Sequence, residues 1–305
     1  MLTILDAKRK HLEPAQAGFF VLKKLRWKPA LDRAFIKPNV GATSKFVNTD
    51  PELVRGIIHY LKSLGITDIT IGEGSVETEY ESTTYNFHYQ GWDKLAEEEE
   101  TELIDLNHTL RREIPWHYGT IAVPEILFSH SYINVAKMKT HMQTGHSLFA
   151  KNQKGLLESN TRKLFHKLGL IAPISYLAEL VKPDLCVVDG IVAIEGSGPG
   201  DLGIKRNLGI VVAGEDMREV DEACLKIMND AHFKPPAEEF KMFNVHMRPE
   251  NACSACLSSV GKLNKIARRS MRGIRFFTRH GLTSRLDIVV GSPQTIPKSH
   301  GYCVF

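Results

Sequence analysis

The sequence has few cysteines, no long apolar run, no internal repeat and no low-complexity tract, and each absence removes a class of protein. Five cysteines in 305 residues, an odd number, do not make a disulfide framework. They fit a reducing compartment, where clustered cysteines serve as metal ligands or redox groups. No stretch approaches the roughly 18 apolar residues of a membrane helix. Residues 1–10 carry Asp6, Lys8, Arg9 and Lys10 with no apolar block behind them, and residues 17–22 are too few for the core of a secretory signal. The expectation is a cytoplasmic protein that does not enter the membrane. The net charge of +4 is too mild to argue for nucleic acid.

What is there is ordinary globular material, 43% hydrophobic and 24% charged, in a chain long enough to bury a sizeable core. Strand-like and helix-like segments alternate. Residues 34–36 read as a strand ending in Lys37-Pro38-Asn39. Asp50-Pro51 then reads as an N-cap with proline at the first helical position. Leu53, Val54, Ile57, Ile58, Leu61 and Leu64 follow at helical spacing, and Gly65 closes the helix. Residues 68–71 form the next strand, which runs into Gly72-Glu73-Gly74. This is a βαβ unit and predicts parallel strands.

Further strands are expected at 103–106, 131–135, 185–188, 208–212, 287–290 and 302–305, with helices at 174–181 and 217–228. Residues 108–128 look like extra β-structure, and 136–155 like a polar, glycine-bearing loop. The glutamates at 97–100 read as a solvated helix face. The expected fold is α/β, Rossmann-like, with a mostly parallel sheet flanked by helices on both faces. Two regions are expected, an α/β domain at 1–245 with an anion-binding cleft and a cysteine-bearing segment at 246–305.

In such sheets, sites form beyond the carboxyl ends of the strands. There the sequence places Lys137, Lys139, His141, His146, Lys151, Asn152 and Lys154 after one strand, and Lys37 and Asn39 after another. Lysines in that density suit a phosphate or carboxylate, and the histidines suit proton transfer. Asp189-Gly190 ends a third strand, and Glu195, Gly196 and Gly198 follow, glycines that let backbone amides approach a ligand. The glycine spacing is not that of a dinucleotide fingerprint, because Pro199 interrupts it.

Cys253 and Cys256 precede the apolar periodicity of Leu257, Val260, Leu263 and Ile266, with Asn251 as N-cap. The pair would sit in the first turn of a helix, where the dipole favours thiolates, the form that iron and zinc bind. Cys303 is a third candidate ligand, whereas Cys186 and Cys224 fall on apolar faces and read as core. Lys262, Lys265, Arg268, Arg269, Arg272, Arg275 and Arg279 form a run without acidic residues. It is either a solvated helix or a dock for an acidic electron carrier such as a ferredoxin. Phe276 and Phe277 are too few aromatics for a nucleic-acid stacking surface.

Taken in order, residues 36–39, 133–141, Lys151-Asn152 with Gly155, 188–196 with Gly198-Pro199, and Ala213-Gly214 with Asp216, Val220 and Asp221 resemble the domain of unknown function 362 family. The resemblance runs from about residue 33 to 230. It implies a 4Fe–4S cluster at Cys253 and Cys256, since similar proteins often carry ferredoxin-type cysteines. Relatives with a late Cys-x-x-Cys continue into a further cysteine and a Gly-Cys-Pro-Pro ending. Here the sequence stops at Phe305, so either the chain is truncated or Cys303 and a non-cysteine ligand complete the cluster.

The expected function is a 4Fe–4S redox protein, an oxidoreductase that exchanges electrons with a small anionic substrate held by the lysines. The alternatives are a non-redox transferase, racemase or isomerase using the same cleft, and a non-catalytic binding module.

Overall fold

The computed structural model describes residues 1–41, 45–76, 82–141, 143–199 and 203–234. The chain divides into Met1–Asn244 and Val245–Phe305, and every described residue lies in the first unit. Cys253, Cys256, Cys303, the basic run at 262–279 and the two late strands therefore lie outside the described residues.

The chain opens with strand β1 (Leu2–Asp6) and helix α1 (Pro14–Leu25), whose first turn is held by a reciprocal Glu13–Gln16 capping box. Strand β2 (Arg33–Lys37), helix α2 (Pro51–Ser63) and strand β3 (Asp68–Glu73) form the expected βαβ unit. The Asp50 side chain accepts from the Glu52 amide at 2.9 Å, and Pro51 occupies the first helical position, as the sequence predicts. Gly65 follows the helix with φ +86°, a conformation glycine adopts at little cost.

Helices α3 (Thr83–Gln90) and α4 (Trp92–Glu98) lead into β4 (Glu102–Asp105). A separate hairpin, β5 (Arg111–Trp116) with β6 (Gly119–Pro124), accounts for the extra β-structure. There follow β7 (Ser131–His141), β8 (Gly145–Ser147), the short helix α5 (Phe149–Asn152), α6 (Ser159–Lys167), α7 (Ile171–Leu180), β9 (Leu185–Gly196), β10 (Gly203–Arg206), β11 (Ile210–Gly214) and α8 (Met217–Asp230).

The main sheet runs β1-β11-β9-β7-β2-β3-β4. Its five-strand centre, from β9 to β4, is parallel throughout. Antiparallel β11 and β1 extend one side, and β8 and β10 fold back onto β7 and β9. From β2 the chain steps outward to β3 and β4, then returns to β7 on the other side. The topological switch point lies between β2 and β7, where a doubly wound sheet opens a crevice at its carboxyl edge.

Alternation along each strand supplies both faces with apolar side chains. Ala34, Ile36, Ile69, Ile71, Ile133, Val135 and Val187 pack with α1, α2 and Trp92 of α4. Phe35 and Tyr132 face the opposite layer of β6, α6 and α7, and Ala136, Met138, Val188 and Val212 face α5 and α8. Cys186 and Cys224 are fully buried in that second layer, as expected, and burial pushes both thiols well above the usual cysteine range. Among the described residues no helix is long and apolar enough to cross a membrane.

Three expectations change. Residues 136–141 are not loop: β7 continues to His141, and all eleven of its residues are buried. The polar residues there point into a buried site, which a reading of hydropathy alone takes for solvent. Likewise β9 does not end at Asp189-Gly190 but continues to Gly196, with a bulge opposite Lys137–Lys139. The run at 97–100 is not merely a solvated face. Glu99 is buried and takes Arg55 at 2.7 Å, His59 at 2.9 Å and Lys62 at 3.1 Å, tying α4 to α2.

Helices α1 and α2 touch backbone to backbone. A Cβ on Gly56 would stand 1.9 Å from the Ala15 carbonyl oxygen, and one on Gly18 would stand 2.1 Å from that of Leu53. Gly56→Ala is therefore expected to destabilise by about 1–3 kcal/mol despite alanine's better helix propensity. Urea unfolding of the purified variant checks this, and a midpoint at or above the parent's contradicts it.

Candidate functional site

The carboxyl ends of β2, β3, β7 and β9 deliver charged side chains to the switch point. Lys37, the last residue of β2, is fully buried, and its Nζ lies 2.9 Å from both carboxylate oxygens of Glu73, the last residue of β3. The Glu73 carboxylate also accepts from the Val40 amide at 3.1 Å and the Gly74 amide at 2.8 Å. Burial lowers the Lys37 pKa, and Glu73 opposes that shift.

From this pair a chain of amides crosses to β7. The Asn152 Oδ1 accepts from Lys37 at 3.2 Å and from Asn39 Nδ2 at 3.0 Å. Asn152 Nδ2 donates to Asn134 at 2.7 Å. The Asn39 Oδ1 accepts from Lys139 Nζ at 2.7 Å, and Lys139 gives a second hydrogen bond to the Val47 carbonyl at 2.7 Å. Both amide ends of Asn39 and Asn152 are thus used, which fixes their orientation.

On the α2 side, Lys137 Nζ meets Asp189 Oδ2 at 2.8 Å, again with both side chains buried. Asp189 also accepts from the amides of Asp50 at 2.9 Å and Ile191 at 3.1 Å. Burial, and then the Asp189 charge, raise the Asp50 pKa. A cleft of about 400 Å³ lies over this pair, walled by Phe46, Asp50 and Pro51 before and at the start of α2, and by Gly91 and Leu95 beside α4.

The remaining cations lower one another's basicity. Lys139 has its pKa pushed well below the lysine range by burial and then by Lys151, Lys137 and Lys37. Burial, then Lys37, bring Lys151 down to about 8. Burial, then Lys151 and Arg162, bring Lys154 down to about 6. The Lys154 Nζ lies 2.6 Å from His166 Nε2. His141 is held well below the imidazole range by burial, Lys151, Lys139 and Lys154. Its Nδ1 accepts from the Gln143 amide at 3.1 Å and the Thr144 amide at 3.3 Å, so the neutral ring carries its proton on Nε2.

Of the residues singled out in the sequence, Lys37, Asn39, Lys137, Lys139, His141, Lys151, Asn152 and Asp189 converge here. Glu195 and the three glycines do not enter this network. Glu195 meets Arg206 at 3.4 Å and accepts from the Lys234 amide at 3.2 Å. Gly190 packs against Met138 and the Ile210 carbonyl. Gly196 and Gly198 lie against Thr140, but their amides donate to the carbonyls of Lys234 and Gly196, which leaves neither spare for an anion. His146 sits on β8 opposite Thr140.

Sequence reading also missed participants. His166 and Arg162 lie on α6, a helix it did not place, and no local signal connects them to β7. Asp50 was legible only as a helix cap, although its amide also holds Asp189.

The family model described as "Domain of unknown function (DUF362)" matches residues 35–226, from β2 into α8. The chain belongs to the DUF362 family. It is also similar to the thylakoid-associated protein sll1697 of Synechocystis sp., with 32% identity over 102 residues. That match covers 32% of this chain and 32% of the relative. The DUF362 match contains every residue of the lysine network, so the site belongs to the family's own domain and not to an appendage. Among the described residues, no group of three or more His, Cys, Asp or Glu side chains is placed to hold a metal ion. Cys186 and Cys224 are buried among apolar side chains, and burial disfavours their thiolate forms.

Proposed function

We propose that this DUF362 protein binds a small anion at the switch point and acts on it as a cytoplasmic 4Fe–4S oxidoreductase. One observation carries the anion. Lys37 and Lys137 each have a carboxylate, whereas Lys139, Lys151 and Lys154 form no salt bridge among the described residues. Several lysine amines gathered together with too few carboxylates favour an incoming anion, which restores their charge.

In this reading Lys139 and Lys151 neutralise the ligand, Asn39 and Asn152 orient it, and the Nε2–H of His141 donates to it or moves a proton. Lys137 is held by Asp189 and serves as a fixed charge. The redox part rests on the sequence and the family resemblance. Cys253, Cys256 and Cys303 would hold the cluster, which supplies one-electron transfer when bound. The basic run at 262–279 would dock an acidic carrier such as a ferredoxin. The low, odd cysteine count supports the cytoplasm. The thylakoid association named for the relative concerns a protein matched over a third of its length.

Anaerobic purification with iron and sulfide analysis tests the cluster. The expected outcome is a brown protein whose visible absorption is lost in Cys253→Ala. A colourless parent, with iron absent from both, removes the redox reading.

The neutral His141 and the weakly basic Lys154 favour a second reading, a non-redox transferase, racemase or isomerase that uses the same crevice for proton transfer. Ligand turnover that survives Cys253→Ala unchanged selects it.

A further inference from the structure

We infer that the anion is a dianion of the phosphate-monoester type, held by Lys139, Lys151 and Lys154, and that the site takes up protons as it binds. This rests on the anion reading above and names the ligand class.

Charge matching comes first. Glu73 and Asp189 compensate Lys37 and Lys137 and leave three ammonium positions. A monocarboxylate offers one charge to these three amines, whereas a dianion draws more of them into the ammonium form. Shape comes second. Lysines offer radiating point charges that suit the three oxygens of a phosphoryl group. The nearby arginine fork, which suits a carboxylate or a phosphate, is engaged, because Arg162 donates to the Gly74 carbonyl and to Asn107 Oδ1.

One proton vacancy is visible in the hydrogen bonding. An N–H···N contact needs one bare nitrogen, so the Lys154–His166 pair holds at least one unprotonated nitrogen. The Nδ1 of His141 is bare as well, but two backbone amides occupy it, so it takes up no proton. The groups acting on Lys154 and His141 are Lys139 on β7, Lys151 on α5, and Arg162 and His166 on α6, while Lys37 on β2 and Glu73 on β3 act on Lys151. All but Glu73 are basic, so in the empty site they repel protons. A dianion reverses that field, and Lys154, drawn down to about 6 in the empty site, recovers its charge.

The sign with pH follows. As pH rises through about 8, Lys151 loses its proton and the anion loses a partner. Phosphate alone becomes more negative over the same range and would bind a fixed set of cations more tightly.

The test is titration calorimetry of the full chain with inorganic phosphate at about pH 8, where the phosphate is already mostly dianionic, in buffers of different ionisation heat. Acetate is the monoanion control. The expected result is phosphate at least about tenfold tighter than acetate, with net proton uptake and an affinity that falls at higher pH. Lys154→Met should reduce the uptake, with circular dichroism reporting its fold. The parent titration decides the matter even if that variant does not fold. Acetate binding as tightly as phosphate, or phosphate binding with no uptake, overturns the dianion inference and leaves the anion reading standing. If neither ion binds, both fall.

Discussion

Glu73→Ala is expected to destabilise the protein by about 3–5 kcal/mol, the range for breaking a buried ion pair by removing one partner. The Glu73 side chain is 4% exposed and that of Lys37 is fully buried, so water cannot replace the lost carboxylate. The damage extends further than the pair. The amides of Val40 and Gly74 lose their acceptor, and an unsatisfied buried amide adds its own cost.

Lys37 can relieve part of the loss by shedding its proton, which burial already favours. The penalty should therefore shrink as pH rises. The double substitution Lys37→Met with Glu73→Leu should recover most of the stability, because it removes both charges and fills the volume. Urea unfolding of the three proteins at two pH values checks this. An unchanged midpoint for Glu73→Ala would show that the pair does not form.

The fold was legible where local chemistry and tertiary role agree. Asp50, Pro51 and Gly65 bracket α2 because capping and glycine signals act within a few residues, and apolar β2 and β3 have helices on both faces. Legibility failed where a strand carries the site. Lys137, Lys139 and His141 look like loop because their polarity hides the strand period, yet the two lysines are compensated from distant segments. Asp189 is 52 residues from Lys137, and Asn39 is 100 residues from Lys139.

Among the elements absent from the sequence reading, β1 and α6 have weaker local signals. β1 is an exposed edge strand with only alternate residues buried, and α6 buries just Arg162 and Phe165. For the site itself, strand-end position and residue type sufficed to gather the lysines and asparagines. They could not assign pairings. Glu73 was read only as a strand-end residue, although it is the counter-ion of Lys37, and Glu195 was read as part of the cleft although Arg206 takes it.

Gly155→Ala is expected to cost about 2–3 kcal/mol and to abolish phosphate binding, an effect out of proportion to one methyl group. The reason is where that methyl would go. A Cβ at 155 would stand 1.9 Å from Glu73 Oε1 and 2.9 Å from Lys37 Nζ. A flexible carboxylate at the surface would swing aside. This one is held by Lys37 and by two backbone amides, so moving it means breaking all three interactions. The turn after α5 is packed closely on the same strand end, since a Cβ on Gly74 would stand 2.5 Å from the Gly155 carbonyl oxygen. Two glycines thus press the end of β3 against the segment that carries Lys151 and Lys154, and the ion pair fills the gap that their missing side chains leave. Gly41→Ala is the control, since a Cβ there meets nothing within 4 Å. Equal stability and equal phosphate affinity in the two variants would refute this packing and, with it, the coupling of the Lys37–Glu73 pair to the anion site.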